Sequence, residues 1–132
     1  MVITIDGAAG VGKTSTAKEV AKKLGFQYFD TGSMYRAVTL YFLEKNVDFS
    51  SMSEVDKALN IMKLKIDFSE KNNMKLLLDG NDISLKIRNQ NVTKNVSAVS
   101  AIKSVRTLMV GIQRSVTQNG NFVVEGRDIG TV

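Results

Sequence analysis

The stretch Gly7-Ala8-Ala9-Gly10-Val11-Gly12-Lys13-Thr14 constrains this chain more than any other, because it fits the pattern G-x-x-x-x-G-K-[ST] and joins a short apolar run to an amphipathic one. Before it, Val2-Ile3-Thr4-Ile5 is mostly β-branched and ends at Asp6, which reads as a buried parallel strand. After it, Ala17, Val20, Ala21 and Leu24 recur at helical spacing, and Gly25 falls where a left-handed C-terminal cap belongs. Glycines let backbone N–H groups turn inward, and the helix start adds unsatisfied donors at the positive end of its dipole. Such a nest binds phosphate oxygens. The motif predicts a nucleoside triphosphate site built from Gly7, Ala8, Ala9, Gly10, Val11, Gly12, Lys13, Thr14 and Ser15. The Lys13 ammonium would meet the β and γ phosphates, and the Thr14 hydroxyl would ligate Mg2+.

Downstream, Phe26 to Phe29 is a second short strand closing at Asp30-Thr31-Gly32, and Met34 to Glu44 reads as a helix with Val38, Tyr41 and Phe42 toward the core. Ser53 to Lys63 looks helical through Val55, Leu59 and Met62. Strict alternation over Leu64-Lys65-Ile66-Asp67-Phe68, a polar turn from Ser69 to Asn73, a run from Met74 to Leu78 and the turn pair Asp79-Gly80 predict an inserted antiparallel hairpin over roughly 63–85. Ile102, Val105, Leu108, Met109, Ile112 and Val116 mark one long helix, and Asn119-Gly120-Asn121 breaks it before a strand at Phe122-Val123-Val124. Strands alternating with helices give an α/β fold with a parallel sheet.

With 43% hydrophobic and 23% charged residues, the 132-residue chain has the composition of a folded domain. The absence of an apolar membrane-length run and of a basic leader predicts a cytoplasmic protein without a membrane partner. Zero cysteine and zero histidine exclude disulfides, thiolate nucleophiles and the usual general base, so chemistry must rest on charge, positioning and a nucleotide-borne metal. Residues 1 to 60 hold seven basic and seven acidic side chains, so the net +5 arises beyond them. No acid occurs from Ile83 to Phe122, where Lys86, Arg88, Lys94, Lys103, Arg106 and Arg114 fall, and that segment should attract anions.

The acceptor is narrowed by what accompanies the phosphate loop. An Asn-Lys-x-Asp guanine motif is missing, and the second strand leads into Asp30-Thr31-Gly32-Ser33-Met34-Tyr35-Arg36 in place of the Asp-x-Asp of shikimate-type kinases. A helix start beside an arginine suits a monophosphate. Together with Val2-Ile3-Thr4-Ile5-Asp6-Gly7, Ile87-Arg88 and Glu125-Gly126-Arg127-Asp128-Ile129-Gly130-Thr131-Val132, these residues resemble the cytidylate kinase family from Val2 to Val132. One departure is Ala8, where many relatives have proline.

The resemblance implies a three-layer α/β/α P-loop kinase domain with a small inserted monophosphate-binding region, and transfer of the γ-phosphoryl of ATP to CMP or dCMP. It implies that Thr31, Arg36 and Arg127 hold the acceptor phosphate with Tyr35 packing nearby, and that Ser97, Arg106 and Asp128 face the cytosine. Lys13, Arg36, Arg127 and Asp128 would then be the catalytic set. Cytosine offers an amino donor beside acceptors, which an Asp acceptor and Arg or Ser donors can match, whereas uracil reverses that pattern. Members of the family continue beyond the point matching Val132 through further strands, a lid and a terminal helix. The chain is therefore expected to be the N-terminal part of a kinase with little turnover by itself, and its strand at 122–125 is expected to form an exposed sheet edge. It is expected to be a monomer, with association through that edge as the alternative. Two other readings stay open: a kinase of another nucleoside monophosphate, and a noncatalytic nucleotide or nucleic-acid binding module using residues 83–122. The second lacks interleaved aromatics, so nucleic acid is not expected as a partner.

Overall fold

The protein is described by a computed structural model covering residues 1–6, 13–70 and 73–126. It contains two compact units: Met1–Gly32 with Asp67–Met74 and the residues from Val110 onward, and Ser33–Ile66 with Lys75–Met109.

In the first unit, strands β1 (Val2–Asp6), β2 (Gln27–Asp30) and β6 (Phe122–Gly126) form a parallel sheet ordered β1-β6-β2. Helix α1 (Lys13–Leu24) follows β1, and Gly25 closes it at φ +70°, in the left-handed region expected of the cap. Register explains which side chains share a face. Ile3, Val123 and Tyr28 lie level across the three strands, and with Ala17 and Ala21 of α1 they form one core. Leu24 is 49% exposed, so the apolar stripe of α1 ends at Ala21. On the alternate positions, Phe122 and Phe29 meet Phe68, with ring centroids 5.5 to 6.3 Å apart in edge-on or tilted pairs.

Two strand expectations need correction. Every residue of β6 is buried, because this strand sits between β1 and β2 and is not an edge. Conversely β1, expected to be buried, alternates between exposed and half-buried residues, with Val2 45% exposed, because β6 is its one neighbour among the described residues. Strands β1 and β2, which flank α1 along the chain, are parallel but separated by β6.

The second unit holds most of α2 (Thr31–Glu44), with Met34, Ala37, Val38 and Phe42 fully buried. This helix begins three residues earlier than predicted. Helix α3 (Met52–Ile61) is capped by Ser51, whose hydroxyl accepts from the Glu54 N–H at 3.3 Å. Strands β3 (Leu64–Glu70), β4 (Asn73–Leu78) and β5 (Asn81–Asp82) form a second sheet in that order. Asp79 and Gly80, at φ +51° and +84°, turn β4 into antiparallel β5. A short 3-10 turn (Lys86–Arg88) leads to α4 (Gln90–Ser100), an unpredicted helix, and then to α5 (Lys103–Thr117). Among the described residues no helix is long and apolar enough to cross a membrane.

Candidate functional site

On the first unit, the carboxyl ends of the parallel strands come level. Asp6 pairs with Gly126, while Glu125 lies beside Ile5 on one flank and Asp30 on the other. Ligands of open parallel sheets bind at this end. Gly7 to Gly12 of the phosphate motif fall outside the described residues, as do Arg127 and Asp128. The backbone of Lys13, Thr14 and Ser15 forms the first turn of α1, whose side chains there are also outside the description. That turn carries no acid, so the positive end of the helix dipole is not offset by a carboxylate within it.

Glu125 fastens this end together. Two residues apart and on adjacent strands, Tyr28 and Glu125 point to the same face as α1. The Tyr28 hydroxyl donates to Glu125 Oε1 at 2.5 Å, and both residues are 5% exposed. The Lys18 ammonium stands 5.6 Å from the centre of the Tyr28 ring. Thr31, buried as the first residue of α2, donates its hydroxyl to the Glu125 carbonyl at 2.8 Å. That proton is taken up, so in this arrangement the Thr31 hydroxyl has only lone pairs left to offer. A Cβ at Gly32 would lie 3.2 Å from Asp30 Oδ1, so glycine leaves room for that carboxylate.

On the second unit, Arg36 is held by one nitrogen. Its Nη1 donates to the Ile87 carbonyl at 3.2 Å and to Thr93 Oγ1 at 3.1 Å. Both acceptors are neutral, and among the described residues no carboxylate pairs with this guanidinium. Arg88 Nη2 donates to the buried Ser33 hydroxyl at 3.3 Å. Tyr35 is half-buried: burial pushes its phenol pKa up, and the Arg106 guanidinium pulls it partly back. Tyr35 and Arg106, both predicted from sequence, are therefore electrostatic neighbours. Arg106 itself is exposed in the first turn of α5, its N–H bonded to the Ile102 carbonyl at 3.0 Å. Ser97 is exposed near the end of α4, not at a helix start, and its carbonyl accepts from Ala101.

Sequence reasoning overlooked Tyr28 and the carboxylate of Glu125, together with Ser33 and Thr93. Parity along paired parallel strands would have joined the first two, but only once β2 and β6 were known to be neighbours. Thr93 lies one turn into a helix whose start signal, Asn89 three residues before Val92, was present and unread.

A family model described as cytidylate kinase matches residues 3–132. A cytidylate kinase of Fusobacterium nucleatum subsp. nucleatum is 45% identical over 132 residues, which cover 100% of this chain and 58% of that protein. One from Mycobacterium avium is also 45% identical, over 133 residues, with 100% of this chain and 58% of the relative covered. A bifunctional pantoate ligase/cytidylate kinase of Prochlorococcus marinus is 45% identical over 130 residues, covering 98% of this chain and 25% of that protein. The chain thus spans 58% of the length of the Fusobacterium nucleatum and Mycobacterium avium cytidylate kinases.

Proposed function

The chain belongs to the cytidylate kinase family, and from that premise we propose that it supplies the nucleotide-binding part of an enzyme transferring the γ-phosphoryl of ATP to CMP or dCMP, giving CDP or dCDP and ADP. The observation that carries the reading is the family match over residues 3–132. The level carboxyl ends of β1, β6 and β2 support it, since the phosphate motif, Asp30-Thr31 and Glu125-Gly126 all leave the sheet there. We further read residues 1–132 as one kinase domain in which residues 63–85 are an insertion on the acceptor side.

The residues present suit a triphosphate with its magnesium. An acid-free helix start that opens with Lys13 and Thr14 provides amide donors, an ammonium and a hydroxyl. Lys13 would meet the β and γ phosphates, Gly7 to Ser15 would supply backbone donors, and Thr14 would hold Mg2+ together with the phosphates. The metal's chemistry is to offset charge on the transferring oxygens. By position in the matching motifs, Arg36, Arg127 and Thr31 would take the acceptor phosphate, with Tyr35 beside it, and Ser97, Arg106 and Asp128 would read the base. Arg36 is equipped for this role, since it carries a full charge that no carboxylate among the described residues offsets. Phosphoryl transfer asks for in-line placement and charge stabilisation, so no nucleophile of the protein's own is needed.

A coupled ADP-release assay across CMP, dCMP, UMP and AMP tests the reading, run on this chain and on the full reading frame of its gene, with calorimetric titration of each nucleotide into the chain. CMP or dCMP preference supports it. Equal use of all four acceptors, or salt-sensitive oligonucleotide binding that CMP does not compete, overturns it.

A further inference from the structure

We propose that Thr93 is a positioning residue for the acceptor nucleotide, acting through Arg36; this rests on the reading that Arg36 contacts the acceptor phosphate. Arg36 Nη1 has two protons, and both are taken, one by the Ile87 carbonyl at 3.2 Å and one by Thr93 Oγ1 at 3.1 Å. The Nη2 and Nε donors meet no acceptor among the described residues. A guanidinium held this way presents the paired donors that match two oxygens of one phosphate.

Thr93 suits this task because its own hydroxyl is fixed. It donates its single proton to the Asn89 carbonyl at 3.1 Å, so only a lone pair can face Arg36. Asn89 is in turn set by capping α4, its Oδ1 accepting from the Val92 N–H at 2.8 Å. The order of control runs from helix cap to carbonyl, hydroxyl and guanidinium. An arginine side chain left loose would have to be ordered when the ligand arrives, whereas one already held loses less freedom on binding. The phosphate-facing edge of Arg36 is thereby set before any nucleotide binds.

Since Thr93 is exposed, Thr93→Val removes the hydroxyl with little change in shape or packing. Calorimetric titration of CMP into the 132-residue chain should show binding weakened about three- to tenfold, the cost of ordering one long side chain when the ligand arrives. ATP affinity should not change, and Thr93→Ser, which keeps the hydroxyl, should restore CMP affinity. Arg36→Ala is the companion variant. If it abolishes CMP binding while Thr93→Val binds as the parent does, the positioning role is wrong and the reading of Arg36 stands. If Arg36→Ala leaves CMP binding intact, or the parent chain binds no CMP, that reading falls and the role of Thr93 falls with it. Parallel losses of ATP and CMP affinity in Thr93→Val, unrescued by serine, would show a purely structural residue and overturn the proposal.

Discussion

Replacing Tyr28 by Phe isolates a single hydroxyl. The ring stays in the core with Ala17, Ala21 and Val123, and the Lys18 ammonium keeps its aromatic face at 5.6 Å. What disappears is the donor to Glu125 Oε1, from a pair in which each residue is 5% exposed. A hydrogen bond to a carboxylate is worth about 1.5–3 kcal/mol, and the Phe variant lacks this one. An unfolding entropy of about 2.1 cal/mol/K per residue, taken over the 132 residues, makes roughly 0.28 kcal/mol/K. The expected fall in Tm is therefore about 5–10 °C. Thermal unfolding followed by circular dichroism at neutral pH measures it, and the cycle completed with Glu125→Gln separates the pair from each residue's other contacts. A Phe variant that melts at or above the parent's temperature would refute the reasoning, because the hydroxyl would then contribute nothing that its burial does not cost.

Three other outcomes are expected. Lys13→Ala should weaken ATP at least about tenfold in a calorimetric titration, with the fold unchanged by circular dichroism, since the phosphate motif loses its ammonium. Asn89→Ala removes the cap of α4 and should lower stability to urea by about 1 kcal/mol. The raised phenol of Tyr35 means that folding favours its protonated form, so its contribution to stability is full below the ordinary tyrosine value near 10 and is lost as pH rises through the higher folded value. Alkaline titration at 295 nm, read as the difference between the parent and Tyr35→Phe, should show the Tyr35 phenol ionising above the ordinary tyrosine value, and Arg106→Ala should move it later still.

Much of the first unit was legible because its signals are local. The apolar run at residues 2–5, the glycine-rich turn and the spacing of Ala17 and Ala21 each lie within a few residues, and the strand and helix appeared where those patterns put them. The place of β6 was not, since parallel pairing leaves no mark in a strand's own residues and an apolar run reads alike at the centre or the edge. Helix α4 escaped notice because Gln90, Asn91, Thr93, Lys94 and Asn95 outnumber the buried Val92 and Val99 that anchor it. The same limit applies at the site. Charged and hydroxyl residues announce themselves by type, whereas the acceptors that hold Arg36 are a backbone carbonyl and an exposed threonine, which the chain offers in many places.

The central position of β6 also sets a timetable. Val123 lies between Ile3 and Tyr28, so among the described residues the two strands made first have no pairing partner in this sheet until a strand about ninety residues downstream of Asp30 arrives between them. At a synthesis rate of about 5–20 residues per second that interval is roughly 5–20 s. Throughout it, β1 and β2 carry unsatisfied backbone donors and acceptors that can pair with other chains. A ribosome-bound nascent chain ending before Phe122 should therefore remain protease-sensitive across residues 2–30, and extension past Gly126 should protect both strands together.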